Sequence, residues 1–214
     1  MGTRPCHNRL LLTRALIFCA GVLAFALPGV PAFAGSLAPD VVPRAAWAAK
    51  PPNFALMSAQ KPAEIIIHHT AHRVQPRVSL EAKMRGLQEF AFKPGRVGLL
   101  PKPAWGDVPY HYYIDVSGRI GEGRDLSFAG NSVTAFDNED RIQIAVEGHF
   151  EREQPSQAEV ESLTRLVTWL AASYGIPASA ISGHGDFDQT TCPGKNLRPI
   201  LEEIREAVRA VQAR

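Results

Sequence analysis

Two short stretches of this 214-residue chain hold side chains that bind transition metals. In Gly183-His184-Gly185-Asp186-Phe187-Asp188-Gln189-Thr190-Thr191-Cys192-Pro193-Gly194, a cysteine follows a histidine by eight residues. The stretch is rich in Gly, Asp and Pro and cannot be a buried helix. Ile65-Ile66-Ile67-His68-His69-Thr70 brings two further histidines to the end of an apolar β-branched run, which reads as a buried strand. Two imidazoles and one thiolate would bind Zn²⁺ and leave a fourth position open for water, the arrangement of a catalytic rather than a structural zinc. Asp186 and Asp188 offer carboxylates in place of Cys192, but thiolate is the better zinc ligand. Because strand side chains alternate, Ile66, His68 and Thr70 share one face and Ile65, Ile67 and His69 the other, so only one histidine of the pair can reach a metal easily.

The remaining elements must carry these ligands. Residues 35–61 are rich in Ala and Pro, show no sustained period, and read as an extended lead-in that packs Trp47 and Phe54 against the domain. Ser79 is placed to cap a helix running to about Phe92, with Leu80, Met84, Leu87 and Ala91 on its core face. Lys93 to Pro109 contains four prolines and three glycines and reads as a long loop at a binding rim or a plain surface insertion. Tyr110 to Val116 alternates, and Ser117-Gly118 turns it into a hairpin with Arg119-Ile120. Arg141 to Gly148 is a further strand, with Ile142, Ile144 and Val146 on one face and Gln143, Ala145 and Glu147 on the other. Glu147 is thus an acid inside the sheet, either a site residue or the partner of a buried arginine. Ser156 and Glu159 form a capping box, and Val160, Leu163, Val167, Leu170 and Tyr174 continue one apolar face until Gly175. Ile200, Leu201, Ile204, Val208 and Val211 repeat the helical pattern near the C-terminus. Strands interspersed with three long amphipathic helices predict an α/β or α+β sandwich with one mixed β-sheet.

At the N-terminus, Arg4, Arg9 and Arg14 precede an apolar run from Ala15 to Leu27, and Ala32-Phe33-Ala34 supplies an A-x-A cleavage site. Residues 1–34 therefore read as a signal peptide, leaving residues 35–214 as one domain, periplasmic or secreted, with no stable membrane anchor after cleavage. The segment removes three of the 23 basic side chains and none of the 21 acids, so 20 against 21 leaves a net charge of −1. That balance gives no basic field and argues against a nucleic-acid partner. Cys6 and Cys19 leave with the signal, so Cys192 remains alone and an intramolecular disulfide is excluded.

Four stretches, taken in order, resemble the motifs of the zinc N-acetylmuramoyl-L-alanine amidases, the family shared by peptidoglycan recognition proteins and phage amidase lysozymes. They are Ile65-Ile66-Ile67-His68-His69-Thr70-Ala71, Asp107-Val108-Pro109-Tyr110-His111-Tyr112, Gly121-Glu122-Gly123-Arg124, and Gly183-His184 with Thr190-Thr191-Cys192-Pro193-Gly194. The resemblance runs from about residue 43 to 200. It implies that His68, the first of the pair, binds one Zn²⁺ with His184 and Cys192, and that Tyr110 and Thr190 assist the reaction. It further implies an α/β fold with a single mixed β-sheet flanked by helices, a site in an open groove on one face, and hydrolysis of the amide joining N-acetylmuramic acid to L-alanine in peptidoglycan or muropeptides. Relatives often have Gly at the position of Gln143, and some carry a catalytic carboxylate at Ala145 or a lysine at Thr190, which leaves Glu147 as a substitute base. The alternatives are a non-catalytic peptidoglycan-binding module, in which the cysteine is typically replaced, and a zinc hydrolase of another cell-wall amide. His69, His72, His111 and His149 read as packing or loop histidines.

Overall fold

Strand Glu64–His69 (β2) carries three consecutive isoleucines, all without solvent exposure. A run apolar on both faces needs cover on both faces, which strands of a parallel sheet receive from helices. The computed structural model describes residues 1–2, 38–133 and 137–213, so the expected signal over residues 1–34 lies, beyond its first two residues, outside them. The fold is the mixed α/β sheet expected. Six strands lie in the order β1 (Val41–Val42), β6 (Ile120–Glu122), β5 (Tyr112–Ile114), β7 (Arg141–Val146), β2 and β8 (Ile181–Gly183). All neighbours are parallel except the β5–β6 hairpin.

Helices α2 (Gln157–Tyr174) and α3 (Ile200–Gln212) cover one face, where Ile65, Ile67, Ile142, Ile144 and Val146 meet Leu163, Leu166, Val167, Leu201, Ile204 and Val208. Helix α1 (Leu80–Phe92) covers part of the other, where Leu80 and Met84 meet Trp47, Val108, Tyr113 and Ala145. One helix cannot span six strands, and the face that holds His68 is left partly open. Helix starts follow the capping residues: Ser79 Oγ accepts from the Ala82 N–H, and Ser156 and Glu159 close a reciprocal capping box. Gly175, at φ 66°, ends α2.

Four expectations need correction. Residues 35–61 are more than a lead-in: Val41–Val42 adds an edge strand parallel to β6, and short 3₁₀ turns form at Arg44–Trp47 and Phe54–Leu56. Trp47 is fully buried and donates Nε1–H to the Glu122 carbonyl at 2.8 Å, whereas Phe54 is exposed against Phe128. The long loop contains a hairpin, β3 (Gly95–Val97) and β4 (Leu100–Lys102). Lys102 pins it down, with Nζ donating to the carbonyls of Ala91 (3.2 Å) and Pro103 (2.9 Å) and lying 4.3 Å from the centroid of the Trp105 ring. A cation at the C-terminal end of α1 satisfies carbonyls that the helix leaves open. Tyr174, at the last turn of α2, is exposed rather than core.

Glu159 is buried, and its Oε1 has no hydrogen-bond partner. Burial, opposed by the capping bonds from Ser156 and reinforced by the carboxylates of Glu147 and Asp115, raises its pKa from 4.5 to about 7. That corresponds to roughly 3 kcal/mol against ionisation, more than the about 0.3–1 kcal/mol a helix N-terminus returns to an anion. The folded state therefore holds the proton where the unfolded chain has lost it, and stability falls as pH rises from about 4.5 to about 7. Glu159→Gln keeps the capping acceptor and removes the ionisation. Its melting temperature at pH 8 should exceed wild type by at least about 2–4 °C, on the order of 1 kcal/mol, and the two should converge at pH 4. Equal melting temperatures at pH 8 would show that Glu159 ionises without cost.

Candidate metal centre

Strand register brings the two histidines together. β8 runs parallel to β2 with Gly183 opposite Ile67, so His184, the next residue, emerges beside His68 at the C-terminal ends of the two strands. Cys192 is returned to this point by a tight loop. The Gly185 N–H donates to the Cys192 carbonyl at 2.7 Å, and a Cβ at Gly185 would lie 2.6 Å from the Thr190 carbonyl oxygen and 2.8 Å from that of Cys192. Only glycine permits that approach. Asp186 tightens the loop from inside, accepting from the Gly183 N–H at 2.9 Å and from Arg198 at 2.5 Å.

One ligand atom from each of His68, His184 and Cys192 falls within 4.8 Å of the others, and this trio could hold a metal ion. His68 presents Nδ1 to Cys192 Sγ at 3.8 Å, and the His69 backbone N–H donates to the same sulfur at 3.3 Å. Burial, with the neighbouring His184, lowers the His68 pKa to about 3, and burial lowers that of His184 as well, so both rings are neutral and carry a lone pair at neutral pH. Burial pushes the Cys192 thiol up to about 12. Burial outweighs the nearby Arg198 and the thiol holds its proton; a metal would displace it.

His69 points the other way. Its Nδ1 accepts from the Phe150 N–H at 3.2 Å and its ring lies against His149. His111 is likewise structural, with Nδ1 accepting from the Gln143 N–H at 2.8 Å and Nε2 2.9 Å from the Phe128 carbonyl oxygen. Asp186 faces Arg198, and Asp188 Oδ2 lies 3.8 Å from His184 Nε2, so neither carboxylate belongs to the trio.

The trio opens onto a groove of about 910 Å³ between α1, the β3–β4 hairpin and the loop before β5, lined among others by Tyr110, Thr190, Arg73, Phe90 and Trp105. Tyr110 is half-buried, with its ring centroid 5.3 Å from that of His68. Its turn is held by Arg124, a fully buried cation that donates to the carbonyls of Asp107 (3.0 Å), Val108 (2.9 Å) and Ala129. Burial, with Cys192 nearby, raises the Tyr110 pKa, which leaves the phenol a hydrogen-bond donor rather than a base. Thr190 Oγ1 accepts from the Cys192 N–H at 3.3 Å.

Glu147 differs from expectation. Its Oε2 is ion-paired with Lys83 at 2.7 Å, not with an arginine, and accepts from the Val116 N–H at 2.9 Å, while Oε1 accepts from the Gln75 N–H at 2.8 Å. Both oxygens are committed to tying three segments together, which leaves Glu147 poorly placed as a base. A contact not foreseen is that of Gln143, whose Oε1 meets His68 Nε2. Its position on the His68 side of the sheet was visible in the alternation of β7; that it reaches His68 was not.

The sequence profile of the family described as N-acetylmuramoyl-L-alanine amidase matches residues 58–195. The chain belongs to this family. Solved members bear out the fold. The crystal structure of Drosophila peptidoglycan recognition protein SD superposes with a TM-score of 0.65 at 29% identity, covering 77% of this chain and 94% of that one. Human peptidoglycan recognition protein IβC, solved in complex with glycosamyl muramyl pentapeptide, gives a TM-score of 0.64 at 25% identity over 77% of this chain and 96% of its own. The endolysin N-acetylmuramoyl-L-alanine amidase LysCS from Clostridium intestinale gives 0.55 at 28% identity, covering 80% and 96%. The family thus includes both recognition proteins and amidases, and its matched region in this chain contains His68, Tyr110, His184, Thr190 and Cys192.

Proposed function

We propose that this protein is a zinc-dependent amidase that hydrolyses the bond between the lactyl carbonyl of N-acetylmuramic acid and the amine of L-alanine in peptidoglycan. The observation that carries the reading is the trio His68, His184 and Cys192, complete and converging within 4.8 Å at the edge of an open groove. Its donor set fits zinc. Tetrahedral Zn–N and Zn–S bonds imply an N···S spacing of roughly 3.6 Å, against 3.8 Å between His68 Nδ1 and Cys192 Sγ. Two neutral imidazoles and one thiolate also leave a fourth position open. Bound zinc supplies a Lewis acid and lowers the pKa of water to about 7.

In the reaction, water adds to the amide carbonyl, the C–N bond breaks, and the leaving amine takes up a proton. Tyr110 donates its phenolic proton as a hydrogen bond to the oxyanion that develops on the carbonyl, and its raised pKa keeps that proton in place. Thr190 takes the Cys192 N–H on an Oγ1 lone pair, so its hydroxyl proton is not used in that bond and can be directed to the substrate. The groove seats the glycan and stem peptide, as supported by the human homologue solved with a muramyl pentapeptide. The complete ligand trio with Tyr110 beside it favours hydrolysis over recognition alone. The arginine-bearing apolar segment at residues 1–34 supports export to the periplasm or beyond, and no helix among the described residues is long and apolar enough to cross a membrane.

The test is mass spectrometry of muropeptides incubated with protein purified from its native envelope, whose N-terminus should read Gly35 or within a residue or two of it. Free stem peptide beginning with L-alanine and peptide-free glycan are expected, with loss of both on chelation and recovery on adding zinc. Muropeptides that bind but stay whole would leave a recognition module, and an intact N-terminus would refute the export signal.

A further inference from the structure

Strand β7 lies beside β2 in parallel register, with Gln143 opposite Ile66 and Ala145 opposite His68. Gln143 is 1% exposed, and a buried carboxamide must place both its oxygen and its nitrogen. The nitrogen donates to Asn138 Oδ1 at 3.3 Å, an oxygen that also accepts from the Ser132 hydroxyl at 2.7 Å. The carboxamide oxygen is thereby turned toward His68, where it meets Nε2. The amide oxygen has no proton to give, so His68 must donate, and its proton sits on Nε2. The other nitrogen, Nδ1, then carries the lone pair and faces Cys192 Sγ.

Two features show that the space for this side chain is built. Gly130 lies directly over it: a Cβ there would come within 2.5 Å of Gln143 Cγ. The Gln143 backbone is anchored twice to His111, its N–H donating to His111 Nδ1 at 2.8 Å and its carbonyl accepting the His111 N–H at 2.9 Å. His111 is fully buried, so the anchor is rigid.

We propose that Gln143 is a positioning residue of the metal site, whose carboxamide oxygen holds His68 in the Nε2–H tautomer and aims Nδ1 at the metal before the metal arrives. The role rests on the zinc reading above. Partners of this kind, which hydrogen-bond the far nitrogen of a ligating imidazole, typically contribute about 10–100-fold in metal affinity. Asp188 Oδ2 lies 3.8 Å from His184 Nε2, longer than a hydrogen bond.

The experiment uses the full mature chain, with zinc affinity measured by chelator competition and the His68 tautomer by long-range ¹H–¹⁵N correlation in the zinc-free protein. Wild type should show Nε2–H. Gln143→Leu, close in volume but without an acceptor, should lose about 10–100-fold in zinc affinity and show a mixture of tautomers. Gln143→Glu, which restores an acceptor oxygen, should recover most of the loss, as a merely space-filling role would not allow. Equal losses in the Leu and Glu variants, or wild-type affinity in a folded Gln143→Leu, would overturn the proposal and leave the zinc reading standing. Wild-type protein with His68 in the Nδ1–H form would overturn it without any variant. Wild-type protein that takes up no zinc would overturn both.

Discussion

Purified His68→Ala, His184→Ala and Cys192→Ser proteins should each bind zinc more than about 100-fold more weakly than wild type, since loss of an outer partner of a ligand alone costs about 10–100-fold. Stability should fall with the metal, because zinc bound only by the folded state contributes its binding free energy to folding. His69→Ala provides the contrast. It removes the acceptor of the Phe150 N–H and leaves that buried group unpaired, at a cost of about 1–3 kcal/mol. The sulfur contact made by residue 69 comes from its backbone and survives the substitution. His69→Ala should therefore melt earlier than wild type yet carry one zinc per chain. Metal analysis by mass spectrometry, paired with thermal unfolding, separates the two effects. Full zinc in His68→Ala together with none in His69→Ala would mean that the strand presents its histidines to the metal in the opposite sense.

Tyr110→Phe separates chemistry from binding. The substitution removes one hydroxyl, keeps the ring against His68, and alters none of the three ligand side chains. Zinc content and affinity for uncleaved muropeptide should remain near wild type. The turnover rate should fall by about 10²–10³, the loss that follows removal of one donor aimed at charge that exists only in the transition state. Because burial keeps the phenol protonated well above neutrality, the wild-type rate should show no limb from its ionisation near pH 7. Tyr110→Phe that turns over at the wild-type rate would reduce Tyr110 to a packing residue. Glu147 is a weak replacement, since Lys83 and two backbone N–H groups already occupy its oxygens; Thr190 would be the next position to test.

Much of the architecture was legible in the order of residues because the signals are local. Ser79, Ser156 and Gly175 act on backbone groups within one helical turn of themselves, and the helices begin and end beside them. Ile65-Ile66-Ile67 is apolar on both faces, and a strand of that kind has to be central. Alternation alone put His68 and His69 on opposite faces of β2. Val41–Val42 and Ile181–Gly183 were not legible, since two or three residues cannot establish a period and such strands exist through the neighbour they pair with. The β3–β4 hairpin escaped for a related reason: its glycines and prolines read as loop, and what holds it is Lys102 reaching back to carbonyls at the end of α1. The sequence by itself determined which side chains are candidates for chemistry at this site. Only the tertiary structure decided what stands behind them, Gln143 at His68, Lys83 at Glu147 and Arg124 under Tyr110, because periodicity tells which face a side chain takes but not which distant residue meets it there.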